Sequence, residues 1–557
     1  MKKFITIILS ILLLQQLLVA QDSDTPVMQY FDGGKMNFSF RLGLNGFGGG
    51  TGNGNFGGVI SPSLNNGSAS MFYNPAGLGF LKSTEFFFDS KVSFSLESFG
   101  AGKDDVISPD MIKDGLDDVL TDTATFIFPE ENYRRDTEVK EADLGQAGGI
   151  TAFGIAVPVT KNITAGLGYS ILADVTMDLL VSGISTDLKT TKTVGSEETE
   201  IDIVLRNSFA MNMSLKLNQL VFSTGAEIFN DNKGHLNAGI SAVRYSAGEY
   251  LFVNLNTTGM MILDNSNEYY FNNPNDKTLN SEAGERNDLF WRASGNYETT
   301  EWGFKFGTFY QYTDKNSFLS HFKFSLIYDN MPKLTMVDEN AYSESYQPKF
   351  LTGKFLGEDD DALDFVVDSI EITKPHLTVP TNNEFSDSVN ISFPSSLLLG
   401  IDANFGDHTF ALNIVKYFDE LSYEFGKYKM GLNASTGIKA GFDFKFPEEL
   451  KGWAWALLPV RLLYLDFDGL LLQAFQARTG YSDPHYRVGG GLIMGDPIVE
   501  GFSDEAQKAD LESALNSGIP TGFALGRSYT VLENLRVGVL VFGFPNLALK
   551  YSFSYRL

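Results

Sequence analysis

Apolar and polar residues alternate without a break over the last nine positions of the chain. Leu549, Tyr551, Phe553, Tyr555 and Leu557 fall on one face, and Lys550, Ser552, Ser554 and Arg556 on the other. A repeat of two is that of an extended strand whose two faces meet different surroundings. The pattern recurs upstream. Trp302, Phe304, Phe306, Tyr310 and Tyr312 oppose Gly303, Lys305, Gly307 and Gln311. After a turn at Thr313–Asn316, Phe318, Phe322, Phe324, Leu326 and Tyr328 alternate with His321, Lys323 and Ser325. Ile163, Ala165, Leu167, Tyr169 and Ile171 oppose Thr164, Gly166, Gly168 and Ser170. Further strands are predicted near 85–99, 149–160, 208–216, 219–229, 236–246, 249–262, 395–406, 409–423, 430–446, 457–465, 487–494 and 534–543. The total is about fourteen to sixteen strands.

Bulky aromatics on one face, with lysine and small residues on the other, suit a wall between lipid and a polar lumen. A chain that ends on an aromatic amphipathic strand resembles bacterial outer-membrane barrels, where the last strand pairs with the first and removes the sheet edge. The expected fold is therefore all-β: a transmembrane antiparallel β-barrel of about 14 strands. A secreted β-sandwich or solenoid is the soluble alternative. The most apolar internal stretch, Trp453 to Phe475, carries Pro459, Arg461, Asp466 and Asp468, so it does not read as a membrane helix.

Composition narrows the setting. The 557 residues include no cysteine, which excludes disulfides, thiolate metal sites and cysteine nucleophiles. A formal net charge of −27 argues against a nucleic-acid partner. Residues 101–145 hold 13 acidic and 5 basic side chains, and residues 335–390 hold 12 and 3, so these two segments carry −17 of that charge. They are expected to be long extracellular loops. Their carboxylates either bridge cations to lipopolysaccharide or simply keep the loops hydrated. The run Glu358–Asp361 lacks the glycine and spacing of a calcium loop.

Met1-Lys2-Lys3, an apolar stretch from Phe4 to Leu14 and the sequence Leu17–Ala20 before polar Gln21 are laid out as a signal peptide cleaved after Ala20. An uncleaved anchor helix is the alternative. The expected division is 1–20 signal peptide, 21–84 hatch, and 85–557 barrel with its loops. Two helices are expected outside the wall, one spanning Asp504 to Asn516 behind Ser503 and before Gly518, the other around Met111–Leu120.

Between Gly43 and Gly58, nine of sixteen residues are glycine, a composition suited to backbone folded tightly inside a lumen. Gly52, Gly54 and Gly57 match the dinucleotide-binding spacing, but no helix follows. Then comes Ser68-Ala69-Ser70-Met71-Phe72-Tyr73-Asn74-Pro75-Ala76-Gly77-Leu78-Gly79. Pro75 holds Asn74 out of the helical region, and the asparagine can bond neighbouring amides, so Asn74-Pro75-Ala76 defines a turn.

Here the chain resembles the FadL family of outer-membrane transporters for long-chain fatty acids and aromatic hydrocarbons. That family carries an Asn-Pro-Ala box in an N-terminal hatch, after a glycine-rich stretch and before the first wall strand. Similarity extends to Trp302–Tyr328 and to Ser392–Leu397, where Pro394 precedes a strand, but not to the acidic loops. The same box occurs in PorV-type proteins of secretion and surface attachment, which leaves that reading open. The resemblance implies passive passage of a hydrophobic small molecule without a cofactor. It also implies an outer-membrane location amid lipid and lipopolysaccharide, and assembly by the barrel-assembly machinery through the C-terminal strand. Phe47, Phe56, Phe72 and Tyr73 are the candidate substrate-binding residues, with ordinary hatch packing as the alternative.

Catalysis has little footing. His235, His321, His376, His408 and His485 show no metal-pair spacing, and no Gly-x-Ser-x-Gly elbow occurs. A Ser–His–Asp site assembled across strands would leave no spacing to read. The expectation is no enzyme, no catalytic residue and no metal.

Overall fold

The computed structural model describes residues 35–44, 55–56, 58–64, 67–93, 124–125, 148–194, 197–263, 267–271, 289–314, 317–346, 388–406, 408–444, 485–502, 505–531, 534–543 and 548–557. The signal-peptide region, Phe47, His376, the helix expected at 111–120 and the strand expected at 457–465 lie outside the described residues.

Fourteen strands pair in a ring: β1 (Glu85–Ser93), β2 (Gly148–Pro158), β3 (Ile163–Val194), β4 (Glu197–Asn230), β5 (Gly234–Leu263), β6 (Leu289–Tyr312), β7 (Phe322–Asn330), β8 (Ser396–Phe405), β9 (His408–Tyr417), β10 (Tyr428–Phe444), β11 (His485–Glu500), β12 (Ile519–Val531), β13 (Leu535–Gly543) and β14 (Ala548–Arg556). Each pairs antiparallel with its neighbours in the chain. The ladder then returns to its start, because β14 pairs with β1 from Arg556↔Glu85 to Ala548↔Ser93. The fold is an antiparallel β-barrel.

Burial within this ring is inverted relative to a soluble protein. Phe86, Phe88, Phe153, Leu167, Phe222, Ile240, Trp302, Phe304, Phe306, Phe410, Ile414, Ile438, Phe442, Phe553 and Tyr555 are exposed. Glu85, Asp89, Lys91, Gln219, Asn237, Lys305, Asp402, Asn413, Lys439, Asp443, Arg487 and Lys550 are buried. Charge therefore lines the interior and apolar rings cover the outside, as a lipid-embedded wall requires. Inside, most of the charges are neutralised locally. Arg487 Nε stands 2.6 Å from Asp443, Lys305 Nζ 2.7 Å from Asp329, and Lys550 Nζ 3.2 Å from Asp89.

Strands β3 to β6 run well past the apolar band. β3 has 32 residues and β4 has 34, whereas a tilted strand crosses a bilayer in about 10. Their outward residues turn polar beyond Trp302, where exposed Glu298 and Lys216 both pair with Gly248 of β5. The separate strands expected at 208–216 and 219–229 are thus one strand, as are those at 236–246 and 249–262. The breaks expected at 217–218 and 247–248 instead mark the passage of the wall from lipid into water. Strands over Leu334–Val337, Tyr342–Tyr346, Ser388–Ser392 and Leu421–Phe425 extend this outer tier. The segment expected as the acidic loop 335–390 therefore contributes strand at both its ends. Tyr423 Oη donates to Glu249 at 2.6 Å and ties the tier together around buried Tyr245 and Tyr297.

The end of β1 and start of β2, and the end of β7 and start of β8, lie at the side of the barrel opposite the start of β1 and the end of β14. The β2–β3 ladder stops at Ala152↔Ser170. Beyond it the free edge of β3 is taken by Lys35–Leu44, paired antiparallel from Leu44↔Ala173 to Lys35↔Ser182. Lys35–Leu44 alternates strictly in sequence, with Met36, Phe38, Phe40, Leu42 and Leu44 against Lys35, Asn37, Ser39, Arg41 and Gly43, yet it is not among the expected strands, and neither is β12. Helix α1 covers Glu505–Asn516 and ends where Gly518, at φ 86°, donates its N–H to Leu515 O at 2.9 Å, close to the expected span.

Candidate functional site

The Asn-Pro-Ala box follows a short 3₁₀ helix, Ser68–Phe72, and opens a second, Pro75–Phe80, with Asn74 as its N-cap. Proline at the first helical position suits its fixed φ, and the preceding Asn74 is extended, at φ −140° and ψ 96°. The Asn74 side chain works in two directions. Its Oδ1 accepts from Ala76 N–H at 3.1 Å, capping the second helix, and its Nδ2 donates to the Thr308 carbonyl of β6 at 3.3 Å. Asn74, Ala76, Met71 and Leu78 are buried.

The wall is shaped to receive this turn. Gly225 of β4 pairs with Gly239 of β5, which pairs with Gly307 of β6, so three glycines stand side by side on the inner face. A β-carbon at Gly225 or Gly239 would collide with the Pro75 backbone, and one at Gly307 with Asn74 Oδ1. On β3, a β-carbon at Gly168 would stand 2.6 Å from Met71 Sδ and 2.6 Å from Phe72 Cζ. Only glycine lets the backbone of the turn approach so closely. Burial of Met71, Phe72 and Leu78 contributes about 1.5–3 kcal/mol per side chain.

Polar ties fix the remainder of the segment. Ser241 Oγ donates to Met71 O at 3.2 Å and Thr164 Oγ1 to Leu81 O at 3.3 Å. Glu85 Oε1 accepts from Ser68 N at 2.7 Å and from Ser68 Oγ at 2.9 Å, while its Oε2 meets Arg556 Nε at 2.6 Å. Further round the barrel, Asp402 Oδ2 of β8 accepts from Ser61 Oγ and Ser63 N, each at 2.6 Å. Asn413 of β9 pairs with the backbone of Ile60 as a strand would: Ile60 N donates to Oδ1 at 2.6 Å, and Nδ2 donates to Ile60 O at 2.9 Å. Ile60 belongs to a two-residue pairing, Asn55–Phe56 with Val59–Ile60, that lies against β9 to β12. The segment from 58 to 81 is thus held at β1, at β3 to β6 and at β8 and β9.

The structure brings some of the expected site residues together. Asn74, Pro75 and Ala76 meet the glycine row. Phe72 packs edge-on against Phe87 of β1, with ring centroids 5.4 Å apart, and Tyr73 is buried beside it in the chain. Phe56 lies in the short 55–60 pairing. The box also places Phe80 edge-on to Phe309 at 4.6 Å and to His235 at 5.0 Å. Glu85, Asp402, Asn413 and the glycine row were not singled out in the sequence. Their one signal is parity: each occupies an inward position of its strand.

Among the described residues, the histidines converge on no common site. His321, expected on the lumen face, is exposed where a 3₁₀ turn ends, its ring stacked on Phe405 at 5.6 Å. The turn displaces it from the alternation that begins at Phe322. Among the described residues, no group of three or more His, Asp or Glu side chains could hold a metal ion.

No family model matches the chain, and no curated protein matches it in sequence. Solved structures do resemble it in fold. The likeness is to FadL-type outer-membrane transporters. A Pseudomonas aeruginosa FadL homologue is 11% identical over 94% of this chain and 98% of its own, at a TM-score of 0.40. The Ralstonia pickettii toluene transporter TbuX is 12% identical over 92% and 98%, at 0.37. The Pseudomonas putida toluene transporter TodX is 11% identical over 88% and 94%, at 0.34. At these TM-scores the superposition is loose, and the strand pairings themselves define the barrel.

Proposed function

We propose that the protein is a non-enzymatic barrel of the outer membrane that passes hydrophobic small molecules inward, with residues 21–84 as its hatch. The reading is carried by one observation: a turn of the chain is seated on three adjacent glycines inside a ring of strands whose outer face is apolar. A segment built this way obstructs the lumen, and it can shift without unfolding the wall. The hydrophobic substrates of FadL-type relatives, toluene among them, suggest fatty acids or aromatic hydrocarbons as the molecules carried.

In this mechanism the outer tier captures the molecule. It then passes beside the hatch, with Phe56, Phe72 and Tyr73, and Phe47 before them, as candidate lining. It leaves when the hatch rearranges or through the wall. The early end of the β2–β3 ladder, where Lys35–Leu44 replaces β2 at the edge of β3, supports an exit through the wall. Export by a signal peptide cleaved after Ala20, contact with lipid and lipopolysaccharide, and insertion through the C-terminal strand by the barrel-assembly machinery complete the proposal.

Deleting the protein is expected to lower cellular uptake of a labelled fatty acid or alkylbenzene. Unchanged uptake across a broad hydrophobic panel would overturn the reading. Recovery of a secretion-translocon subunit with the protein from native membranes would instead favour a PorV-like role.

A further inference from the structure

Tyr423 and Glu249 stand on strands four steps apart along the wall, yet Tyr423 Oη donates to Glu249 Oε1 at 2.6 Å. Between them lie β6, Leu334–Val337 and Ser388–Ser392, each paired with the next. At the usual strand spacing, four steps amount to roughly 19 Å of sheet, more than the two side chains and one hydrogen bond can span. Phe425, three steps from Tyr297, likewise packs edge-on to it, with ring centroids 6.1 Å apart. The outer tier is therefore folded inward on this side. Leu334, Met336, Val389 and Ile391 are buried in one cluster with Tyr245 and Tyr297. A panel of short strands thus lies on the inner face of β5 and β6 and narrows the outer mouth.

The bend follows a line of interrupted pairing. The ladder that joins β7 to β8 stops at Asp329↔Ser396, and its continuation in the tier begins at Leu334↔Ile391. The ladder that joins β8 to β9 stops at Ser396↔Tyr417 and continues from Ser392↔Ser422. At the same level β10 shifts register between Asn433 and Thr436. The links at 331–333 and 393–395 each carry a proline, Pro332 and Pro394, which has no N–H to give a ladder. Phe418 N–H donates to Ser395 O at 2.9 Å within the gap. A row of short links with few backbone bonds, aligned across adjacent strands, is where a sheet can swing without breaking its ladders.

We propose that Leu334–Val337, Ser388–Ser392 and Leu421–Phe425 form a gate over the outer mouth, hinged at 331–333, 393–395 and 418–420, with the Glu249–Tyr423 contact as its proton-sensitive latch. Glu249 is 1% exposed and stands in the outer tier, beyond the apolar band. The titratable groups that face it are Tyr423 on the panel and Tyr297, its register partner on β6; Leu215 is its partner on β4. Burial pushes the Glu249 carboxyl up to about 7, against the downward pull of the Tyr423 hydrogen bond. When the panel lifts, the carboxyl meets water and returns toward its ordinary value of 4.5, so the lifted state gives up the proton more readily. The closed state is therefore favoured most at low pH. It loses ground as pH rises from 4.5 to about 7, by on the order of a hundredfold. The inference goes beyond the transport reading, because it concerns how the wall moves and not what passes through it.

The chain has no cysteine, so Lys216→Cys on β4 and Lys427→Cys in the turn after Phe425 can carry a specific pair of nitroxide labels. The test measures their separation by double electron–electron resonance in the full-length protein, in neutral maltoside micelles, at pH 5 and at pH 8. The heat-modifiable band on a gel verifies that each variant is folded. A population longer by about 10 Å, the spacing of packed sheets, is expected to grow roughly tenfold or more relative to the short one between the two pH values. Glu249→Gln, which stays neutral, is expected to hold the short distance at both. Tyr423→Phe removes the donor to the carboxylate and should enlarge the long population at pH 8. A single unchanged distance in the otherwise wild-type labelled protein would overturn the gate. A pH-dependent distance that persists in folded Glu249→Gln would overturn the latch. Neither result bears on hydrocarbon uptake, so the transport reading stands or falls separately.

Discussion

Asn74 Oδ1 fills the place that a β-carbon on Gly307 would occupy. The box and the wall are therefore matched at one atom, with Gly225 and Gly239 making the same allowance for Pro75. Gly307→Ala is expected to push the turn off β6 and cost about 1–3 kcal/mol, the usual penalty for overpacking. The Asn74→Ala, Gly307→Ala double variant should recover part of that loss, because the colliding oxygen is gone. Urea titration of the heat-modifiable folded band measures both. A Gly307→Ala protein as stable as wild type would refute the interlock.

Asn413 should act as a removable clasp. Asn413→Leu leaves the N–H and C=O of Ile60 without partners, a loss of about 1–3 kcal/mol for each group that stays buried. Hydrogen exchange followed by mass spectrometry should show faster exchange in peptides covering residues 55–64. Exchange in β10 and β14 should remain slow. Uniformly faster exchange would indicate instead that the whole barrel had loosened.

Glu85 joins the segment to the strand that closes the ring, since it accepts from Ser68 with one oxygen and from Arg556 with the other. Glu85→Ala should destabilise by about 1–3 kcal/mol, chiefly through the buried Ser68 groups. Arg556 is partly exposed, so water can replace its lost partner. Glu85→Gln keeps an acceptor and should cost less. Equal effects of the two substitutions in urea titration would contradict this assignment.

The lipid-facing assignment of β14 is open to a direct comparison. Phe553→Arg should oppose folding into vesicles by about 2–4 kcal/mol if it lies near the midplane, and by less near an interface. Exposed Glu298, placed beyond the apolar band on β6, should accept Glu298→Arg with little effect. Similar costs at the two positions would show that the band has been misplaced.

Much of the wall could be read before any fold was known. Trp302–Tyr312 and Leu549–Leu557 place their alternating aromatics outward and their lysines inward, because a strand in lipid has only two faces; Phe309, on the inward parity, is buried against Phe80 instead. The reading failed where the surroundings change along a strand. β4 and β5 appeared broken at 217–218 and 247–248, since the same strand continues from lipid into water. β12, with Gly522, Ala524 and Gly526 inside it, offers too little contrast between its faces. The box was legible as a turn from Asn74 and Pro75 alone. Its seat was not, because Gly225, Gly239 and Gly307 lie on three strands and become a row only when the register aligns them.

By itself, the sequence determined that this is an all-β chain with an apolar and a polar face, a rigid Asn-Pro-Ala turn and two acidic segments. These follow from local chemistry: side-chain alternation, the fixed φ of proline and the count of carboxylates. Tertiary structure alone decided that β14 meets β1, that the turn rests on three glycines, and that Arg487 and Lys550 meet Asp443 and Asp89. Those are relations between residues up to several hundred positions apart. They arise from strand register and barrel closure, which no local stretch of sequence encodes.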